Sequence, residues 1–186
     1  MKLSGAEAVR FCQTPQAAYW AFLLFGDDEG VVADGFLSLK QALFKDRDDL
    51  DVITLDDDEV KKDPAALMDA LDARSLLGNP RLIRIRANGD KAAAPILEAI
   101  QAGDQAIDRF ESPLVITAGA LQKRSKLRAG SEAAKHAAAL HLFSDETQDL
   151  VALVRARLAE DGLEIEEMAL ERLVAGLPGH RSLANQ

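Results

Sequence analysis

Short apolar runs alternate with amphipathic helical segments through the first 143 residues, and this alternation is the strongest constraint on the fold. Residues 18–25 form a continuous apolar run of the kind found in the middle of a parallel sheet. Later segments with strand character, each separated from the next by a helical pattern, cover residues 51–55, 81–86, 113–117 and 138–143. This alternation predicts an α/β domain whose mostly parallel sheet is flanked by helices.

The pattern changes after Phe143, where no further strand is indicated. Ser144 is suited to cap a helix, and another helix is predicted over residues 165–177. Helices alone predict a small all-helical domain over residues 144–186, following the α/β domain over residues 1–143. The final residues have the pattern of a new helix, so we expect this second domain to be truncated.

The charge balance argues against one class of function. Acidic residues number 31 and basic residues 22, and the net charge of -9 repels phosphate backbones. We therefore expect no DNA binding by the chain on its own. The single cysteine, Cys12, excludes an internal disulfide, and the longest apolar run, residues 17–25, is far shorter than the roughly 20 residues of a membrane span. These features predict a cytoplasmic protein without a membrane span.

The turn after the first strand is where an α/β protein commonly binds phosphates. A phosphate-binding P-loop requires the pattern G-x-x-x-x-G-K-[ST], whereas residues 26–30 contain three acids and no lysine. Nucleotide binding at this turn is therefore not expected. Two interpretations of Asp27 and Asp28 remain open. They cap the following helix, or they hold Mg²⁺ in a phosphoacceptor receiver domain, with Asp90 as a further acid.

The other polar residues form no catalytic pattern. The acidic run at residues 56–59 lacks the glycine and spacing of a calcium loop, which predicts a solvated turn. His136, His141 and His180 share no ligand spacing with one another, and no histidine lies near Cys12 in sequence. We expect no catalytic residue, no metal and no cofactor.

Two adjacent leucines lie at the end of an amphipathic helix, just before a Gly-Asn-Pro turn. Leu67, Leu71 and either Ala70 or Arg74 follow the helical spacing. Leu76 and Leu77 are neighbours and point in divergent directions, which predicts that one of them does not reach the domain's own core. Either the pair closes the helix at its glycine, or it forms an exposed plug that fills a partner's pocket. Burial would then contribute roughly 1.5–3 kcal/mol per leucine.

A basic helical stretch begins at Leu121 and contains the one cationic cluster of this acidic chain. The cluster consists of Lys123, Arg124, Lys126 and Arg128, and the first three are candidate contacts. A solvated helix face is the ordinary interpretation of such a cluster, and the alternative is a site for a phosphate or a partner.

Four stretches of the chain, taken in order, carry a resemblance to a known family. They are the opening Met-Lys-Leu, the strand end Phe-Leu-Leu-Phe-Gly-Asp-Asp-Glu, the Ser-Leu-Leu-Gly turn before Arg-Leu-Ile, and Leu-Gln-Lys-Arg-Ser-Lys-Leu-Arg. In this order and spacing they resemble the delta subunit family of the bacterial DNA polymerase III clamp loader. The resemblance runs over the whole chain.

The resemblance implies an AAA+-like sheet without a nucleotide site, followed by a helical lid domain, with a third, collar-forming domain missing from this chain. It implies a subunit that binds the sliding clamp, the beta subunit, and opens its ring interface without hydrolysing ATP. Such a subunit is a non-catalytic component of the DNA polymerase III holoenzyme, a nucleotidyltransferase. Other implied partners are the gamma/tau and delta prime loader subunits. DNA would be bound only in the assembled complex. There, residues 123–126 are candidate contacts to a neighbouring subunit or to DNA.

The clamp-binding helix of that family ends in a pattern like Gln-x-x-Ser-Leu-Phe, whose Leu-Phe pair fills a pocket on the clamp. The resemblance therefore assigns clamp binding to Leu76 and Leu77, with Ser75 and Arg74 beside them. This chain has Asp72 where glutamine is usual and leucine where phenylalanine is usual. Among the two interpretations of the leucine pair, the resemblance favours the exposed plug.

Overall fold

The computed structural model of the chain describes residues 1–45, 47–75, 78–106, 109–143, 151, 154–155, 158, 163 and 165–176. The chain divides into two units, Met1–Leu142 and Phe143–Gln186, and the first unit contains the whole sheet. The assignment of residues 144–186 to a helical lid domain stays a prediction.

A single sheet organises the first unit, and every neighbouring pair of its strands is parallel. The six strands are β1 (Lys2–Ser4), β2 (Ala21–Phe25), β3 (Asp51–Asp56), β4 (Arg81–Ala87), β5 (Leu114–Ala118) and β6 (Ala137–His141). They lie in the order β1-β6-β2-β5-β4-β3. The predicted α/β fold with a parallel sheet is confirmed.

Helices cover both faces of this sheet. They are α1 (Ala6–Gln13), α2 (Glu29–Phe44), α3 (Asp57–Lys62), α4 (Pro64–Asp72), α5 (Ala93–Gln105) and α6 (Lys126–Ala133). Helices α1 and α2 pack on one face through Phe11 and Phe36, while α3 to α6 pack on the other through Val60, Leu67 and Ile96. The result is a three-layer sandwich with a separate apolar core on each side of the sheet.

Burial explains why the central strands could be recognised in the sequence. All five residues of β2 and all five of β5 are buried, because both faces of these strands are covered by helices. Strand β2 lies between β5 and β6. If the last five strands are numbered 1 to 5, their order is 5-1-4-3-2, whereas receiver domains of the flavodoxin-like type have the order 2-1-3-4-5. The receiver interpretation of Asp27 and Asp28 is therefore wrong at the level of topology.

Two elements of the structure were not predicted. Strand β1 is only three residues long and pairs with β6 at the edge of the sheet, so it has no periodicity that could be detected. Helix α3 occupies the acidic run that was predicted to be a solvated turn. Asp56 and Glu59 form a capping box there, and carboxylates in the first turn are favoured by the helix dipole. Asp57 is buried and accepts a hydrogen bond from the Asn88 N–H.

In the second unit, the described residues include helix α7 (Glu167–Gly176), which lies within the helix predicted over residues 165–177. Leu170 on this helix is buried. The helix predicted from Ser144 lies largely outside the described residues. Of the helices described in either unit, none is both long enough and apolar enough to span a membrane.

Candidate binding site after helix α4

Helix α4 ends at Asp72, four residues before the leucine pair. Leu67 and Leu71 bury its apolar face, as predicted, and the Ala73 N–H donates the last helical bond to the Asp69 carbonyl at 2.9 Å. Ala73 itself is extended, and Arg74 lies beyond the helix with 80% of its side chain exposed. Of the two residues predicted to continue the helical stripe, Ala70 packs against the core and Arg74 does not.

The leucine pair, Leu76 and Leu77, lies outside the described residues, but the residues on either side of it are held together. The Gly78 N–H donates to the Ser75 carbonyl at 3.3 Å, and the Asn79 N–H donates to the Ser75 hydroxyl at 3.1 Å. Gly78 has a φ of 73°, a conformation that favours glycine. These bonds tie the residue before the leucine pair to the two residues after it.

Arg81 anchors the base of this segment. Its Nε donates to Asp51 Oδ2 at 3.0 Å and its Nη1 donates to the Ala73 carbonyl at 3.0 Å. The side chain is only 16% exposed, so water competes little for these bonds. Arg81 thereby joins the end of α4 to the first residues of β3 and β4. The sequence pattern does not indicate this role of Arg81, because Asp51 lies thirty positions away.

A second connection ties the segment to the loop before β5. Arg109 pairs with Asp72 at 3.3 Å, and Arg74 pairs with Glu111 at 3.3 Å. Both pairs are well exposed, and exposed ion pairs typically contribute about 0–1 kcal/mol each. They position the end of α4 and the residues after it more than they stabilise the fold.

An open depression of about 650 Å³ lies beside the segment. One wall is the turn before β3 and the other is formed by residues 73–75 and 79–81. It is lined by Asp48, Asp49, Leu50, Asp51, Ala73, Arg74, Ser75, Asn79 and Arg81. Arg47 donates two hydrogen bonds to Asp49, at 2.8 and 2.7 Å, and these hold the pKa of Asp49 below its usual value. The surface around the leucine pair is therefore polar and largely charge-paired.

At the turn after β2, two N–H groups at the N-terminus of α2 already have a side-chain partner. The Asp28 side chain accepts hydrogen bonds from the Gly30 and Val31 N–H groups, so a carboxylate already occupies the N-terminus of α2. A side chain at Gly26 would collide with the Leu142 carbonyl oxygen, which shows how closely the backbone is packed at this turn. The capping interpretation of Asp28 is confirmed.

Asp90, the third acid of the receiver interpretation, also has a structural role. Its carboxylate accepts hydrogen bonds from the Ser125 hydroxyl at 2.6 Å and from the N–H groups of Lys126 and Leu127 at 2.9 and 3.1 Å. Burial alone would raise the pKa of Asp90, but these hydrogen bonds outweigh it and lower the pKa. Asp90 thus fastens the loop after β4 to the N-terminus of α6.

Replacing Asp90 by asparagine is expected to lower the free energy of unfolding by about 1 kcal/mol at neutral pH, because the charge-assisted hydrogen bonds to its carboxylate become fewer and weaker bonds to a neutral amide. Because folding lowers the pKa of Asp90, its contribution is fully present above the unfolded pKa of about 4 and disappears as the pH falls through the folded pKa. Urea unfolding of both chains at several pH values should show the difference shrinking toward acid. A difference that is constant with pH would contradict this account.

The cationic cluster divides between a turn and a helix. Lys123 and Arg124 lie in a turn, and α6 begins only at Lys126, so the prediction of a helix from Leu121 is wrong by five residues. Ser125 caps α6 by accepting from the Arg128 N–H at 3.2 Å. Arg124 and Lys126 are exposed, Lys123 is half-buried, and Arg128, unlike the others, is buried.

No metal or nucleophile chemistry is indicated in the part of the chain that the structure describes. Among those residues, no three His, Cys, Asp or Glu side chains are grouped so that they could hold a metal ion. Cys12 is buried, and burial raises the pKa of its thiol to about 12, which leaves it protonated and unreactive at neutral pH.

Comparison with known proteins identifies the fold but not a family. No family model and no curated protein matches the chain. The Bacillus subtilis DNA clamp loader delta protein is similar in structure, with 17% identity and a TM-score of 0.52 over 95% of this chain and 53% of its own length. A DNA polymerase III gamma subunit-related protein and RuvB, both from Thermotoga maritima, have TM-scores of 0.44 and 0.41 at 17% and 16% identity. They are matched over 83% and 91% of this chain and 51% and 53% of their own lengths. The chain spans about half the length of these proteins, and it has an AAA+-like α/β fold.

Proposed function

We propose that the chain acts in DNA replication as a clamp-loader-like subunit of the delta type, which binds a sliding clamp and opens its ring. The fold supports this proposal because the B. subtilis delta protein shares it. The proposed contact is formed by Leu76 and Leu77, with Ser75 and Arg74 beside them. The clamp would provide an apolar pocket for the two leucines.

The observation that carries the proposal is the anchoring of the residues around the leucine pair. Arg81 donates to the Ala73 carbonyl, and the bonds from Gly78 and Asn79 to Ser75 tie together the residues before and after the leucine pair. A segment held on both sides loses little conformational entropy when it binds, so more of the burial free energy appears as affinity. The polar depression beside it gives the interface a polar rim.

The proposed subunit works without hydrolysing ATP. At the turn after β2, the Asp28 carboxylate takes the helix N–H groups that a phosphate would need, and the chain has no P-loop lysine there. Opening of the clamp would therefore depend on binding free energy alone.

In an assembled loader, we propose the gamma/tau and delta prime type subunits as further partners. Lys123, Arg124 and Lys126 form a basic surface on a chain of net charge -9. In this proposal they contact a neighbouring subunit, or DNA that other subunits hold in place. The chain by itself repels DNA, because its net charge has the same sign as the phosphates.

Calorimetric titration of the chain into a purified bacterial sliding clamp tests the proposal. We expect saturable binding with a Kd of about 10 μM, which requires about 7 kcal/mol; two buried leucines contribute roughly 3–6 kcal/mol of this and the polar rim the remainder. Titration of duplex DNA under the same conditions should give no heat of binding. A clamp that is not bound at concentrations of about ten times that Kd would contradict the proposal.

A further inference from the structure

Strand β3 is the terminal strand of the sheet, and its outer edge is open. In the part of the chain that the structure describes, no strand lies beyond it. The Asp51 N–H donates to the Pro80 carbonyl, so Asp51 directs its backbone groups toward β4. Successive residues of a strand in a parallel sheet direct their backbone groups to alternate sides of the strand. The N–H and C=O groups of Val52 and Thr54 therefore point to the outer edge. These four backbone groups are available to a further strand.

One face of β3 is open as well. Ile53 and Leu55 pack against the core under α3 and α4. On the opposite face, Val52 is 38% exposed and Thr54 is exposed. Helix α2 covers β4 on this face, where the Arg84 guanidinium carbon lies 4.0 Å from the centre of the Phe36 ring. A strand added beside β3 would thus meet both free backbone groups and a β-branched surface.

Negative charge flanks this edge at both ends. Residues 47–59 contain seven acids and one arginine. Basic side chains pair with four of these acids, through Arg47–Asp49, Arg81–Asp51, Arg86–Asp56 and Lys91–Asp58. The acids therefore remain in excess, and the polar depression opens at the N-terminal end of the strand. An edge of this kind complements an extended segment that carries cationic residues at its ends.

We propose that the outer edge of β3 binds an extended peptide segment with β-branched central residues and a cationic residue at each end, which adds a seventh strand to the sheet. A second copy of the chain is a poorer occupant. Pairing of two β3 edges would bring the excess acids of residues 48–59 from both copies together, and like charges across a strand pair are destabilising. The proposal does not depend on clamp binding.

Titration of the ¹⁵N-labelled chain with the capped peptide Lys-Val-Thr-Val-Thr-Lys tests this surface. We expect saturable shifts of the Val52 and Thr54 amide signals. The matched peptide Glu-Val-Thr-Val-Thr-Glu should bind about tenfold more weakly or not at all, because its terminal charges are repelled at both ends. The substitution Val52→Lys should abolish the shifts, since a lysine on an edge strand blocks pairing without disturbing the core. Thr54→Pro should do the same by removing an edge N–H.

Several outcomes would overturn the proposal. If the peptide causes no shifts, or causes shifts scattered over other acidic surfaces, no edge pairing occurs. Shifts that persist in the Val52→Lys variant would lead to the same conclusion. Shifts of Val52 and Thr54 that appear on concentrating the chain without peptide would assign the edge to a second copy instead. Circular dichroism of both variants distinguishes loss of binding from loss of folding.

Discussion

Replacing Leu76 and Leu77 together by alanine is expected to weaken binding to a sliding clamp about 100-fold or more. Each leucine that enters an apolar pocket contributes roughly 1.5–3 kcal/mol, and every 1.4 kcal/mol changes the dissociation constant about tenfold. Because the residues on both sides are anchored through Ser75 and Arg81, the substitutions should leave that support in place. Calorimetric titration of the variant into the clamp measures the effect.

Two control variants separate this interpretation from a core role of the leucines. Leu37→Ala removes a leucine that is 53% exposed on α2, and it should change neither clamp binding nor stability. Leu71→Ala removes a leucine that is 2% exposed on α4, and it should cost about 2–5 kcal/mol of unfolding free energy. If the Leu76 and Leu77 double variant loses as much stability as Leu71→Ala, the pair belongs to the core and the proposed contact is wrong.

Replacing Arg128 by alanine is expected to lower the free energy of unfolding of the α/β unit by about 3 kcal/mol. The side chain is 2% exposed, and its Nε donates to Glu132 at 2.8 Å while its Nη1 donates to the Leu121 carbonyl at 2.9 Å. Its guanidinium carbon lies 5.0 Å from the centre of the Phe25 ring. Alanine removes these interactions and leaves a buried carbonyl without this donor. Urea unfolding at neutral pH measures the loss.

Matched substitutions divide this effect into its parts. Arg128→Met keeps much of the packing against Phe25 but removes these hydrogen bonds. Its loss of unfolding free energy should therefore be smaller than that of Arg128→Ala but still measurable. Glu132→Gln keeps a hydrogen-bond acceptor on a side chain that is 26% exposed, and it should cost less than about 1 kcal/mol. A loss below about 1 kcal/mol for Arg128→Ala would contradict a structural role for the buried guanidinium.

The parts of the fold that could be predicted are those where burial determines the sequence locally. Residues 21–25 and 114–118 are buried throughout, so each strand appears as a short apolar run. The buried face of α2, with Val32, Phe36 and Leu39, is visible in the sequence as apolar residues at helical spacing. Asp28, which precedes the helix, is visible as a capping residue. These signals are local. Together with the alternation of strands and helices along the chain, they were enough to predict the fold class.

The parts that could not be predicted depend on contacts between distant residues. Arg81 meets Asp51 thirty positions away, and Arg109 meets Asp72 thirty-seven positions away, and contacts at such separations produce no periodic pattern. The end of α4 at Asp72 was missed because Leu71 and Arg74 have helical spacing, while Ser75 forms a local turn with Asn79 that competes with the helix. The supporting residues of the candidate site therefore became visible only in the structure.

Amide hydrogen exchange of the chain, alone and with saturating sliding clamp, tests the central claim most directly. The proposed contact predicts exchange slowed about tenfold or more over residues 73–80, including the amides of Gly78 and Asn79, with no change along α7. Unchanged exchange over residues 73–80 while the clamp is bound, or protection confined to other parts of the chain, would contradict the assignment of this segment as the clamp-binding site.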